Sequence, residues 1–588
     1  LRDVPPVRSR KGALRLILTR MMKFSVRALP ASLGGVCIAA ALASCVQTKF
    51  VTAPRAERDD AAPLAVTRAL RSAIDTIVVI YAENRAFDNL YGNFPGARNL
   101  SEVIDRDGRP LPAYHPQLDR DGRTLPVLPP TWGGVTAPGV TPVVTQQQSA
   151  GLPNAPYSIE HGFTAQSQAT LTANTVTRDL WHRFYEHQMQ IDGGKNDGFA
   201  AWSDAGGLAL GYYDYSGSAL YALARDFVLA DNFFQGVFGG SFLNHQYLIC
   251  ACAPEYPNAD TAAARPAIAV LEKNAVGGYL PRLKTASSPP ASALEAPPAF
   301  ARSGDIAPLN YFGDGKFYAV NTMQPPYQPS RNKPPAGDAA FAYADPNNAT
   351  TLPPQTQRTI GDALDAKGVA WVWYAGAWNA AVQDGMRPPS KQREVIYAPE
   401  TAGGNPDFQA HHQPFNYFER FDPQVHAQQR AAHLQDYADL LTAIAAGRLP
   451  AVTFYKPQGN LNQHAGYASV ADGDAHIAEL VAKLRAGPQW NRMLIVITYD
   501  EFGGAWDHVA PPQGDLLGPG TRIPALIISP FAKRGTVDHT QYDTESILRL
   551  ITRRFDLEVL PGIAQRDAAL LSHGEPPMGD LTYALDLP

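Results

Sequence analysis

Residues 493–504 read MLIVITYDEFGG. Seven residues of apolar, β-branched or aromatic type are followed by two acids and two glycines. A short continuous run of this kind predicts a strand buried on both faces, as in a parallel sheet, and not the alternation of a half-exposed strand. Four other runs read the same way: 74–81 (IDTIVVIY), 369–374 (VAWVWY), 451–455 (AVTFY) and 523–529 (IPALIIS). Helical patterns fall between some of them, at 474–484 (DAHIAELVAKL) and 544–553 (TESILRLITR). The alternation predicts an α/β fold, with a mostly parallel central sheet and helices on both faces. In such sheets ligands bind beyond the C-terminal strand ends.

Those ends carry hard oxygen donors. The run at 74–81 passes into Ala82-Glu83-Asn84-Arg85. A carboxylate and an amide there suit a divalent cation, although Asn84 reads equally well as a helix cap. Asp500 and Glu501 close the strand at 493–499. Two adjacent acids repel unless a cation joins them, and Gly503-Gly504 allows the bend that lets both converge. Trp506-Asp507-His508 adds another acid and imidazole.

Ser241 lies in VFGGSFLNHQYL, after two glycines and before a helical pattern. Glycines let backbone approach a ligand closely, and a helix N-terminus favours phosphate. Taken alone, the serine reads more readily as a helix cap than as a nucleophile. Among the histidines, His411 and His412 are adjacent in AHHQPFNYF, and His464 lies in GNLNQHAGYAS. His182 and His187 share DLWHRFYEHQ, which predicts a helix on which they stand roughly 140° apart, so that one faces the site.

The chain has 588 residues, 45% of them hydrophobic, enough for a large core and more than one domain. Charged residues make up 18% and the net charge is -5, which leaves no basic field for nucleic acid. With 51 prolines and 48 glycines the chain is loop-rich. Four cysteines (Cys37, Cys45, Cys250 and Cys252) make neither a disulfide framework nor a CxxC zinc pattern. Cys250 and Cys252 are expected as two buried thiols, because a bridge between residues i and i+2 strains regular structure. Residues 100–160 and 253–355 show no period and no internal repeat. They are expected as Pro-rich insertions that wall the site or form a cap.

Residues 1–20 read as an upstream extension, with Met21 or Met22 as the better start. Lys23 and Arg27 precede the short apolar run LGGVCIAAALAS, so 21–45 reads as an export signal, too short for a permanent membrane span. Its end, Leu42-Ala43-Ser44-Cys45, reads as a lipobox with Cys45 lipidated; the alternative is cleavage after Ala41-Leu42-Ala43. Residues 46–71 read as a tether, 72–559 as the catalytic domain and 560–588 as a C-terminal tail. The expected location is the periplasm or outer membrane, or the medium if the protein is secreted.

Seven ordered segments resemble the bacterial phospholipase C and acid phosphatase family of the alkaline-phosphatase-like superfamily. They are AENRAFDNLYG, HRFYEHQMQIDGGKNDGF, ALARDFVLADNFFQGVFGGSFLNHQYLI, TIGDALDAKGVAWVWYAGAW, HHQPFNYF, YDEFGGAWDHVAPP and GTVDHTQYDTESILRLITRRF. GGSFLNHQ and HHQPFNYF are more similar to the acid phosphatase branch. The resemblance implies an alkaline-phosphatase-like fold and one divalent ion (Ca, Mg, Mn or Zn) held by Glu83, Asn84, Ser241, Asp500 and Glu501. It implies attack by Ser241 through a phosphoserine, with Asn84, His182, His411, His412 and His464 binding the phosphoryl group and the histidines also moving protons. His182 is preferred to His187 because the family pattern places a histidine early in that segment. Ala86 and Asn196 depart from the family pattern and loosen the substrate assignment. No CxPxR-type setting surrounds Ser241, which disfavours sulfate esters. The expected activity is hydrolysis of phosphate monoesters, with the membrane as a partner through Cys45. The alternatives are a phospholipase C acting on diesters and a non-catalytic lipoprotein that binds phosphoryl ligands.

Overall fold

The runs of buried β-branched and aromatic residues become the centre of one sheet. The computed structural model describes residues 61–398 and 406–588. The expected signal, Cys45 and the first part of the tether lie outside the described residues. In chain order the elements that matter here are helix α1 (Ala61–Ala73), strand β1 (Thr76–Ala82), helix α2 (Phe87–Tyr91), helix α3 (Phe184–Ile191), strand β2 (Val228–Ala230), helix α4 (Ser241–Cys250) and the hairpin β3 (Leu271–Lys273) and β4 (Tyr279–Leu283). There follow β5 (Trp371–Ala375), β6 (Leu434–Asp436), β7 (Val452–Lys456), helix α5 (Val470–Ala486), β8 (Met493–Tyr499), β9 (Ala525–Ile528), β10 (Thr536–Asp538), helix α6 (Thr544–Phe555) and helix α7 (Pro561–Ser572).

The eight-stranded sheet runs β10-β2-β9-β8-β1-β7-β5-β6. Strands β1, β7 and β8 are buried at every residue, as a sheet covered on both faces requires. β1 pairs in parallel with both β7 and β8. One expectation needs correcting. The run at 523–529, expected as a parallel strand, forms β9, which pairs antiparallel with both β8 and β2. Its connection, 500–524, contains no helix. The chain therefore turns back at the same end of the sheet, and without a crossover only antiparallel pairing is available.

The cysteine expectation is also overturned. Cys250 and Cys252 form a disulfide, with Cα atoms 5.1 Å apart. Cys250 ends α4, and Ala251 takes a left-handed conformation at the helix C-cap (φ 49°). That reversal brings the two side chains together, which regular structure would not.

The insertions are ordered. Residues 105–112 (DRDGRPLP) and 119–126 (DRDGRTLP) are a duplication, contrary to the expectation of no repeat. Each copy folds as a tight turn closed by Asp105 N–H to Arg109 O (2.9 Å) or Asp119 N–H to Arg123 O (2.7 Å). Arg120 in the second copy donates to Pro290 O, Ser292 O and Ala296 O, which stitches the first insertion to the second. At the other end of the domain, residues 560–588 are folded onto it: Arg566 on α7 is fully buried and pairs with Asp543 and Asp515. Within the expected tether, α1 is helical, and its Arg71 pairs with Asp556 just after α6. Among the described residues no helix is long and apolar enough to cross a membrane.

Candidate active site

The three central strands deliver their chemistry side by side. Ala82 is in register with Tyr499, so Glu83 and Asp500 leave the sheet together, and Ile80 is in register with Tyr455, one residue before Lys456. The chain then turns sharply on both sides. Asn84 is left-handed (φ 63°), as is Gly503 (φ 63°). A Cβ on Gly503 would stand 2.2 Å from the Asn84 carbonyl oxygen, so the two motifs touch backbone to backbone where glycine alone fits. Asp500 Oδ1 accepts from the N–H groups of Asn84 (3.1 Å) and Glu501 (2.8 Å), and Glu501 Oε2 accepts from Gly503 N–H (2.6 Å). The bend read from the two glycines brings both acids inward.

Ser241 is the first residue of α4, and Gly240 is the N-cap. The serine is therefore not a cap. Its Oγ lies 3.2 Å from Glu501 Oε1 and 3.3 Å from Asn84 Oδ1. Asn84 is likewise no cap, since Ala86 precedes α2. Its Nδ2 donates to His182 Nε2 at 3.4 Å.

His182 and His187 do not share a helix as expected. His182 lies in the extended segment before α3, where its Nδ1–H donates to Leu180 O (2.6 Å) and its Nε2 is 3.7 Å from Glu501. His187 is within α3 and lies behind the loop that leads to Ser241. Its Nδ1 accepts from Gly239 N–H (3.0 Å), its Nε2–H donates to Thr521 (2.8 Å), and its ring stacks on Phe502 at 3.7 Å.

Glu83 faces the other way. Its Oε1 meets His412 Nε2 and Lys456 Nζ, the latter at 3.0 Å; its Oε2 accepts from Asn462 Nδ2 and from Tyr467 O–H (3.0 Å). His411 Nε2 is 3.9 Å away. Lys456, Asn462, Tyr467 and His245 were missed in the sequence. Lys456 ends a buried strand, and the strand-end rule could have found it. Nothing in the spacing of the others points to the site. Ser241, His182, His411, His464, Tyr467 and Gln409 line a polar cavity of about 300 Å³. His412 does not line it; the pairing with Glu83 holds it behind the wall. His464 stacks on Tyr467 with ring centroids 4.3 Å apart. Asp507 and His508 also lie elsewhere, in a buried network with Asp88 and Arg522. A larger cavity, about 550 Å³, surrounds Cys250 and Cys252 at the far end of α4 from Ser241.

Burial sets the proton affinities. It pushes Asp500 up to about 7, with Lys456 pulling against it and Glu83 adding to it. Glu501 rises well above the carboxylate range through burial and the neighbouring Asp500. Burial also opposes ionisation of Glu83, but His412 and Lys456 outweigh it and hold this acid well below its usual value. His182, His411, His412 and His464 are all lowered by burial.

Two fully buried carboxylates, Glu83 and Asp500, thus meet at Lys456 with the buried Glu501 beside Asp500, and Asp500 Oδ2 has no hydrogen-bond partner, Lys456 Nζ lying 3.6 Å away. An orphaned buried carboxylate oxygen beside Asn84 Oδ1, Ser241 Oγ and Glu501 Oε1 is a donor set that fits a hard divalent ion. Among the described residues three groups here carry ligand atoms within 4.8 Å of one another: Glu83, His411 and His412; Glu83, His245 and Asp500; and at the cavity Asp179, His182 and His464.

A family model described as the Phosphoesterase family matches residues 74–558, and the chain belongs to that family. Non-specific phospholipase C6 of Arabidopsis thaliana is 32% identical over 143 residues, 19% of this chain and 28% of that protein. Phospholipase C B of Mycobacterium tuberculosis is 30% identical over 157 residues, 22% of this chain and 30% of that protein. The chain therefore matches less than a third of the length of either relative. Among solved structures, the lipoteichoic acid synthase LtaP of Listeria monocytogenes aligns over 69% of this chain and 73% of its own, at 7% identity and a TM-score of 0.26. The phosphonate monoester hydrolase of Silicibacter pomeroyi aligns over 61% and 72%, at 17% identity and a TM-score of 0.20. Scores this low carry no further argument.

Proposed function

We propose that this phosphoesterase hydrolyses phosphate monoesters outside the cytoplasm through a phosphoserine on Ser241. The observation that carries the reading is the Ser241 hydroxyl: it starts a helix, touches Glu501 and Asn84, and opens onto a cavity lined by three imidazoles. The N-terminal end of α4 favours the negative charge of a phosphoryl group. Asn84, Ser241, Asp500 and Glu501, with Glu83 beside them, would hold one divalent ion, which supplies charge neutralisation and a more acidic serine hydroxyl. Ca, Mg, Mn and Zn all remain candidates on chemistry.

Ser241 Oγ attacks phosphorus as the ester P–O bond breaks, and Glu501, to which the serine hydroxyl donates, takes its proton. His182, His411 and His464 match in number the three non-bridging oxygens of a monoester. When protonated they donate charge-assisted bonds, and one of them supplies the proton the leaving alkoxide needs. Water then displaces the serine in a second in-line step, giving a proton to the histidine that protonated the leaving group, while Ser241 Oγ recovers its own from Glu501. Because burial lowers these imidazoles, charging them takes acidic pH, which supports an acid phosphatase.

The names of the relatives favour a second reading, a phospholipase C acting on lipid headgroup diesters. Hydrolysis of p-nitrophenyl phosphate and of p-nitrophenyl phosphorylcholine, with and without metal removal and add-back, separates the two. Turnover of the diester alone assigns the second reading, and turnover of neither, in folded and metal-loaded protein, assigns a binding role. Ser241→Ala is expected to lower kcat by at least about 10³-fold with the melting temperature little changed; substantial residual turnover would refute the covalent route. Export and lipidation at Cys45 belong to the same proposal, and labelling with a radioactive fatty acid in cells tests the lipid.

A further inference from the structure

The second insertion carries a hairpin whose exposed residues have no role in the site. Strands β3 and β4 bury Leu271 and Leu283, whereas Val276 at the tip is 92% exposed and Leu280 is 37% exposed. The tip is ordered: Asn274 Oδ1 accepts from the N–H groups of Val276 (3.1 Å) and Gly278 (2.9 Å), so the turn holds Val276 out in water. Leu309, two residues from Tyr311, is 45% exposed, and the Tyr311 ring lies 6.5 Å from that of Tyr279 on β4. The stretch 271–284 carries Lys273, Arg282 and Lys284 against the single acid Glu272, a local net charge of +2 (three minus one) on a chain whose net charge is -5; Arg282 pairs with Glu272 at 3.6 Å and lies over the Trp202 ring at 5.2 Å, so the excess charge is that of Lys273 and Lys284. The Lys273 ammonium lies over the Tyr279 ring, 4.6 Å from its centroid.

We propose that this hairpin is an interfacial contact for an anionic lipid bilayer. Val276 and Leu280 enter the headgroup layer, and Lys273 and Lys284 meet lipid phosphates. Separate apolar side chains interleaved with cations suit the layered polarity of a membrane surface, where apolar burial and attraction to anionic lipid add together. The hairpin is well placed for this. Tyr279 packs through Tyr311 onto Phe184 and Tyr185 at the start of α3, directly after His182 and Arg183 of the cavity wall. Docking would thereby fix that wall with respect to the bilayer. The proposal is independent of the monoester reading, because it requires binding and no turnover.

The test is co-sedimentation of the full chain, in a Cys45→Ser background so that no N-terminal lipid contributes, with vesicles of phosphatidylcholine alone or mixed with phosphatidylglycerol. The expected result is binding to the mixed vesicles that weakens with salt, falls at least about tenfold in Val276→Asp/Leu280→Asp, and loses its anionic preference in Lys273→Gln/Lys284→Gln. Both variants change exposed residues, and an unchanged melting temperature confirms folding. The idea is overturned by absence of binding, by equal binding of the Asp variant, or by a dimer that dissociates in that variant, which would make the hairpin a contact between copies of this chain.

Discussion

At the scale of single residues the site is a set of buried acids whose protonation a bound cation would change. In the metal-free protein Asp500, at about 7, and Glu501, also raised, hold protons that an unfolded chain would release near pH 4. The folded state binds more protons than the unfolded state between those values, so metal-free stability falls as pH rises from about 4 to about 7. A bound divalent ion removes that loss by favouring the ionised acids. The melting-temperature gap between metal-loaded and EDTA-treated protein is therefore expected to widen from about pH 5 to about pH 8. A gap that stays constant or narrows would mean that Asp500 and Glu501 are not the ligands. Glu83 does not contribute in this way, because His412 and Lys456 already keep it ionised.

At the scale of elements Ser241 is placed by contacts made away from the cavity. Gly239 sits two residues before Ser241 with φ 86°, and a Cβ there would stand 2.7 Å from the backbone of Phe184. The start of α3 thus lies against the loop that feeds α4, and His187 on α3 accepts from Gly239 N–H. Gly239→Ala must shift one of these segments. Displacing a reacting group by about 1 Å costs roughly 10²-fold in rate, and a strained backbone costs about 1–3 kcal/mol. Turnover is expected to fall far more than the urea midpoint does; wild-type turnover would show that the loop position does not matter. His187→Phe, which removes the same support while keeping the ring, is expected to lower turnover in the same direction.

At the scale of the molecule the last residues complete the core. Arg566 on α7 donates to Asp543 (2.9 Å), Asp515 (2.9 Å), Gly236 O (2.8 Å) and Tyr247 O–H (2.8 Å), and it is fully buried. Gly236 and Tyr247 flank Ser241 in the chain, so the C-terminal helix braces the loop and helix that carry it. Arg566→Ala leaves two carboxylates without their buried partner, a change of about 3–5 kcal/mol. It is expected to lower the unfolding free energy obtained from urea titration by that amount and to lower turnover with it. A shift under about 1 kcal/mol would place α7 outside the cooperative unit.

Local properties were legible in the order of residues. The central strands, the acids at their ends and the glycines that bend them follow from short-range rules, because burial on both faces leaves a continuous apolar run and a tight turn demands glycine. Ser241 at a helix start and the convergence of Asn84 and Glu501 on it agree with that reading. What only the tertiary structure decided depends on long-range placement. The direction of β9 is set by how residues 500–524 return over the sheet. The Cys250–Cys252 bridge needs the left-handed Ala251 that ends α4. The separation of His182 from His187 depends on where α3 begins. Lys456 and His412 became partners of Glu83 because strands distant in sequence lie next to one another, and sequence spacing holds no record of neighbours formed in that way.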